Sequence, residues 1–222
     1  MYRKLIMSLA PLLAITAFVV IPAAAQAAPK WEHCVAKSIG KFKDHTCSGT
    51  TVANGGWEWE VIPTTTATSQ TKEQVKTHGV LTLTGNNGLV IVCQVNDKGV
   101  IWNESGVGKD EVTEFVNSNC KAEPEKCKPG TIVASGLPWK TELELVAGVI
   151  RDKITGVTIT VNCGPGEEPT LTGNLTPKII NSNPTFAEFG AGSGELVAGA
   201  LKGTVSGKDV LEQSNGWAVR AM

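Results

Sequence analysis

Val157-Thr158-Ile159-Thr160-Val161-Asn162-Cys163 alternates apolar and polar residues without a break. In an extended chain Val157, Ile159, Val161 and Cys163 share one face, and Thr158, Thr160 and Asn162 share the other. A second run, Leu89-Val90-Ile91-Val92-Cys93, is apolar throughout and also ends on cysteine. Between them lies a short loop bounded by two more cysteines, Cys120-Lys121-Ala122-Glu123-Pro124-Glu125-Lys126-Cys127. Working outward, Val80 to Thr84, Val100 to Trp102, Glu111 to Val116, Thr131 to Ala134, Leu143 to Val146, Leu171 to Leu175, Lys178 to Ile180 and Glu195 to Val205 read as further short strands. Gly85-Asn86-Asn87-Gly88, Asn96-Asp97-Lys98-Gly99 and Gly164-Pro165-Gly166 carry turn residues between them. Short strands at this spacing, with no long 3.6-residue period, predict an all-β fold. An antiparallel β-sandwich is the expected architecture and a barrel the alternative.

The composition fits. Of 222 residues 41% are hydrophobic and 18% charged, which is a globular balance. The 24 glycines and many threonines suit strands joined by tight turns. Lys and Arg number 20 against 21 Asp and Glu, and arginine is confined to Arg3, Arg151 and Arg220. A nucleic-acid partner needs clustered basic residues, and none are clustered here.

Residues 1–27 have the three parts of a secretory signal peptide. Arg3 and Lys4 form a basic start, Leu5 to Val20 is apolar, and Ala25-Gln26-Ala27 offers a cleavage site before Ala28. The apolar run is shorter than the roughly 20 residues of a spanning helix. Retention as an anchor is the competing outcome. The expectation is export to a secreted or cell-surface location, with no membrane span after cleavage. Residues 28–62 read as a small disulfide-bonded β unit, 63–78 as a Thr-rich linker or loop with a short helical turn at Lys72 to Lys76, and 79–222 as the main β domain.

Six cysteines in an exported chain imply disulfides. The pairing expected is Cys34–Cys47 and Cys120–Cys127, each closing a local loop, with Cys93–Cys163 joining two buried strands. A zinc site from His33, Cys34, His45 and Cys47 is the competing reading. Adjacent His33 and Cys34 suit tetrahedral ligation poorly, and no C-x-x-C or H-x-x-x-H spacing supports it. No metal and no cofactor are expected.

Gly55-Gly56 opens the clearest strand of the front unit, Trp57-Glu58-Trp59-Glu60-Val61-Ile62. Trp57, Trp59 and Val61 fall on one face and Glu58 and Glu60 on the other. Two tryptophans side by side make a platform on which a sugar could stack, or a piece of core with Val61, and core is the expected use. Glu58 and Glu60 offer a carboxylate pair for glycoside hydrolysis, but two glutamates at this spacing more often form a solvated strand face. Ser193 lacks the G-x-S-x-G elbow, and Gly190 to Gly194 is not followed by the Lys-Ser/Thr of a phosphate loop. The histidines His33, His45 and His78 lie in the front unit and the linker. Asn103-Glu104-Ser105 and Asn174-Leu175-Thr176 match glycosylation acceptors by chance composition.

Trp31, Cys34, Gly40-Lys41-Phe42, Asp44, Cys47 and Gly56-Trp57-Glu58-Trp59, followed by Gly79, Leu81-Thr82-Leu83, Ile91-Val92-Cys93, Gly99, Val116, Cys120, Cys127, Ile132, Val161, Cys163 and Gly173, run in an order that resembles a family of uncharacterised exported, disulfide-containing, β-rich bacterial proteins. The likeness spans most of the chain after the leader. It implies export, β structure and paired cysteines, and it assigns no catalytic or binding residue. The function expected is therefore an exported non-catalytic protein that binds cell-envelope or extracellular material. The alternatives are a carbohydrate-binding module that uses Trp57 and Trp59 on a polysaccharide, and a secreted hydrolase using Glu58, Glu60 or a histidine.

Overall fold

The structure is a computed structural model, and it describes residues 27–66, 71–123, 131–163, 168–213, 215–216 and 218–222. The expected leader cleavage site and Cys127 therefore fall wholly or partly outside the described residues. Among the described residues fifteen strands run from β1 (Trp31–Gly40) to β15 (Val219–Ala221). The intervening ones that matter below are β2 (Gly55–Val61), β4 (Glu73–Gly85), β5 (Val90–Glu104), β6 (Val107–Glu123), β7 (Thr131–Ser135), β8 (Trp139–Val146), β9 (Val149–Asn162), β11 (Lys178–Ile180), β12 (Phe186–Phe189) and β14 (Leu201–Gln213).

The all-β class is as expected, but the two-sheet sandwich is not what forms. The strands close into a barrel of eight, in the order β14-β4-β5-β6-β8-β9-β11-β12 and back to β14. Closure comes from the long β14–β4 ladder, which runs in unbroken register from Gly203↔Gly85 to Gln213↔Val75. The ladder needs a tight approach at one point. A Cβ on Gly79 would lie 2.0 Å from the Lys208 carbonyl oxygen, so only glycine lets the two strands coil there. A closed barrel leaves no sheet edge around its circumference.

Alternation sets the wall. On β5, Ile91, Cys93, Val95, Asp97 and Ile101 are buried, while Gln94, Asn96 and Lys98 are exposed. On β4, Val75 and Leu83 point in, and Gln74, Lys76 and His78 point out. Polar residues thus face outward, the reverse of a barrel whose outer face meets lipid. Among the described residues no helix is long and apolar enough to cross a membrane.

The 63–78 linker is shorter than expected. β4 begins at Glu73, so the helical turn placed at Lys72 to Lys76 is instead the start of a strand. Gln74, Lys76 and His78 gave that stretch a polar look, yet they are simply the outward set of a two-residue period. Nor is the front unit self-contained: β1 sits between β2 and the C-terminal β15, with Trp31↔Ala221 and His33↔Val219 in register. This three-stranded sheet packs on the barrel. Trp31, Val219 and Ala221 join Ile62, Val75, Ile101, Leu143 and Ile179 in one buried cluster. A larger cluster around Ile91, Val157, Val161, Leu171 and Leu196 fills the rest of the barrel.

Of the expected disulfides, Cys34–Cys47 forms. It removes both thiols from the competing zinc set. Cys93 bonds to Cys120, not to Cys163, so neither Cys93–Cys163 nor Cys120–Cys127 exists as a pair. The reason is a bulge. Val92 pairs with Lys121 and Gln94 with Ser118, so β6 carries an extra residue, with Asn119 at φ 51°. The bulge brings Cys120 opposite Cys93, with 4.1 Å between Cα atoms. Cys163 is disulfide-bonded as well.

Candidate functional site

Within the barrel lies a cavity of about 130 Å³. Its walls are mostly apolar, with Val95, Ile101, Trp139, Ile159, Leu196 and Val205 among them. Four aspartates also face it: Asp97, Asp110, Asp152 and Asp209. Each is at most 9% exposed. Trp31, 1% exposed, lines the same space from the capping sheet.

The aspartates come in two sets built alike. Thr77 on β4 lies directly opposite Asp97 on β5, and on its other side opposite Leu211, two residues from Asp209 on β14. Thr141 on β8 lies directly opposite Asp110 on β6, and on its other side opposite Ile154, two residues from Asp152 on β9. Each set is thus an Asp–Thr–Asp triplet across three neighbouring strands. The sequence repeats with it. Gly207-Lys208-Asp209, Lys76-Thr77 and Asp97-Lys98 serve the first set, and Gly108-Lys109-Asp110, Lys140-Thr141 and Asp152-Lys153 serve the second. In every case the aspartate or threonine takes the inward position and its lysine neighbour the outward one.

Burial dominates the chemistry of these groups. It pushes Asp97 up to about 8, helped by the nearby Asp209 charge. Burial alone raises Asp209 to about 7, and the Thr77 hydroxyl tempers the rise. In the second set burial raises both carboxyls. Asp152 rises further because the Asp110 charge stands beside it. Each set therefore holds protons near neutral pH, and Asp110 and Asp152, which hydrogen-bond each other, share one. The threonine hydroxyls ease the cost without removing it. Asp110 Oδ2, Asp152 Oδ1, Asp209 Oδ1, Trp31 Nε1 and the Thr77 and Thr141 hydroxyls are all buried without a well-aligned hydrogen-bond partner among the described residues.

Asn103 fixes the cap over this cavity. It is fully buried and its Oδ1 accepts from the Trp31 backbone N–H at 2.8 Å. Its Nδ2 donates to the Trp31 and Ile62 carbonyls at 2.9 and 2.7 Å. The glycosylation-like match at Asn103 is thus a structural clamp, as its burial requires.

The residues singled out from sequence lie elsewhere. Trp57, Trp59 and Val61 do share a face, opposite Ala36, Cys34 and Glu32. It is the face turned away from the barrel, because Trp31, Val219 and Ala221 occupy the other. Val61 is exposed and both tryptophans are partly exposed, so this face is not the fully buried piece of core expected. Arg220 lies over the Trp59 ring at 4.4 Å, and Trp59 Nε1 donates to the Cys47 carbonyl at 3.2 Å. Trp57 meets His45 edge-on, 6.1 Å between centroids. Glu58 pairs with Lys41 and Glu60 with Lys37, which makes them a salt-bridged strand face. His33 Nδ1 lies 2.6 Å from Glu73. Among the described residues no group of three or more His, Cys, Asp or Glu is placed to hold a metal ion.

Comparison with protein-family models, with curated proteins and with solved structures finds no match to this chain.

Proposed function

We propose that this chain is an exported, non-catalytic binding protein whose ligand site is the interior of its barrel. One observation carries the reading: a mostly apolar cavity of about 130 Å³ faces buried polar atoms that the chain leaves unpartnered. Ligand sites of small proteins combine an apolar wall with a few fixed polar groups in this way. An apolar cavity of about 150 Å³ takes a benzene-sized molecule, so the occupant here is small. Export is supported by the leader-like residues 1–27 and by the disulfides Cys34–Cys47 and Cys93–Cys120.

The test is calorimetric titration of the folded protein with short n-alkyl alcohols and amines, alongside chemical-shift mapping. Saturable one-to-one binding with a negative heat-capacity change, and shifts at Ile101 and Val157, is the expected result. No saturable binding, or shifts confined to the outer surface, overturns the reading.

A second reading keeps Trp57 and Trp59 as a polysaccharide platform on the cell envelope or extracellular material. It is favoured by their position on the outward face of the capping sheet with part of each ring exposed. A pull-down on insoluble polysaccharide, run beside a folded Trp57→Ala, Trp59→Ala variant, tests it. Retention of the wild type alone supports the platform; retention of neither ends it.

A further inference from the structure

We infer that the barrel interior is a site for a short linear aliphatic diamine, one ammonium held by Asp97 and Asp209 and the other by Asp110 and Asp152. The inference rests on the barrel being a binding site and names what it binds.

Three features lead there. First, the carboxyls are duplicated. Two Asp–Thr–Asp triplets open on one cavity, so the site offers two anionic ends, not one. Second, the space between the ends is apolar, with Val95, Ile101, Ile154 and Val157 among its walls. Asp97 is four residues along β5 from Ile101, the partner of Asp110. At about 3.3 Å per residue this is about 13 Å of backbone. An ammonium–carboxylate contact of about 2.8 Å at each end leaves a nitrogen-to-nitrogen span that a short methylene chain covers. Third, the carboxyl oxygens Asp110 Oδ2, Asp152 Oδ1 and Asp209 Oδ1 are buried without a well-aligned partner, and the Thr77 and Thr141 hydroxyls beside them are likewise unmet. An ammonium group brings three donors and no acceptor. A neutral apolar guest would leave these oxygens unmet, and an anion would face four carboxyls.

The lysines beside these aspartates do not compete for the site. Lys109 and Lys98 project outward to Glu142 and Glu114, and Lys76 to Glu212. Lys208 lies over the Phe186 ring at 4.3 Å. Trp31 completes the arrangement at the capped mouth, where its ring adds a π face beside the carboxyls. Each aspartate pair keeps one proton and bears a single negative charge, which one ammonium of the diamine balances; any further proton goes to solvent.

The experiment is calorimetric titration of the full folded chain with diaminobutane, diaminohexane and diaminooctane, with hexylamine and hexanol as controls. Two double variants, D97N/D209N and D110N/D152N, run in parallel. The inference predicts an optimum chain length and a diamine affinity about tenfold above hexylamine, one charge-assisted contact's worth. It also predicts that either variant brings the diamine down to the level of the monoamine. Equal binding of hexanol, hexylamine and diaminohexane overturns the diamine assignment and leaves the barrel as a neutral-ligand site. Binding of none of them overturns both. Should a variant fail to fold, the wild-type chain-length series still decides. Affinity that rises steadily with chain length, without an optimum, also overturns it.

Discussion

The capping sheet and the barrel treat their carboxylates in opposite ways. In the cap each of the glutamates Glu32, Glu58 and Glu60 has a basic partner. Glu32, 5% exposed, meets Arg220 at 2.6 Å, and Glu58 and Glu60 meet Lys41 and Lys37. In the barrel four aspartates are equally buried, and the lysines adjacent to them in sequence all take the outward position. Burying a charge without a partner is costly, so a chain that pairs carboxylates in one place and not in another has left the second set for something else. In the cap, charge fixes structure. In the barrel it is held back as protons and open acceptors.

Removing the piece that joins the two regions has the largest expected effect. Trp31→Ala takes out an indole that is 1% exposed and seals the barrel mouth. It is expected to lower stability by about 4 kcal/mol, seen as a shift of the urea midpoint. A midpoint change under about 1 kcal/mol would mean that the cap does not seal the barrel.

Arg220→Ala breaks the pairing rule of the cap. Glu32 is then left buried without its cation, which is expected to cost about 3 kcal/mol at neutral pH. A loss under about 1 kcal/mol would mean that the Arg220 pair does not carry this part of the cap.

The barrel should lose stability as pH rises. Asp97 and Asp209 are raised from an ordinary 3.8 to about 8 and about 7. Between the ordinary and raised values the folded state binds protons that the unfolded chain does not. Their contribution is therefore fully present below about pH 4 and is lost as pH climbs through about 7 to 8. Thermal melts are expected to fall by the equivalent of several kcal/mol between about pH 5 and about pH 8. D97N/D209N should flatten that fall. A wild type that grows more stable over this range would break the comparison.

Lys37→Ala gives the smallest effect. Its pair with Glu60 is solvent-exposed, and its loss should change stability by about 0.5 kcal/mol or less.

How far these features were legible in the sequence follows from range. The strand around Val157 to Cys163 and the turn at Gly85 to Gly88 rest on local periodicity and turn chemistry, and both stand in the structure. Barrel closure rests on β14 pairing with β4, across more than half the chain, and no local pattern states which strand a late one will find. The Cys93–Cys120 bond depends on a one-residue bulge, which the spacing of cysteines does not encode. The aspartates are a different case. Val95-x-Asp97-x-Gly99-x-Ile101 places Asp97 on the inward set of its strand, and Gly-Lys-Asp, Lys-Thr and Asp-Lys each recur. An acid in register with core residues was a visible signal. It was masked because Asn96 to Gly99 also reads as a turn, and because paired tryptophans are a more familiar sign of a binding surface.

The most direct test is a carboxyl-carbon NMR titration of the aspartates in the folded protein. The account predicts that Asp97 and Asp209 titrate near 8 and 7, and that Asp110 and Asp152 titrate well above the ordinary 3.8. Diaminohexane should lower all four apparent values. Titration of the four near 3.8, with no response to the diamine, would contradict it.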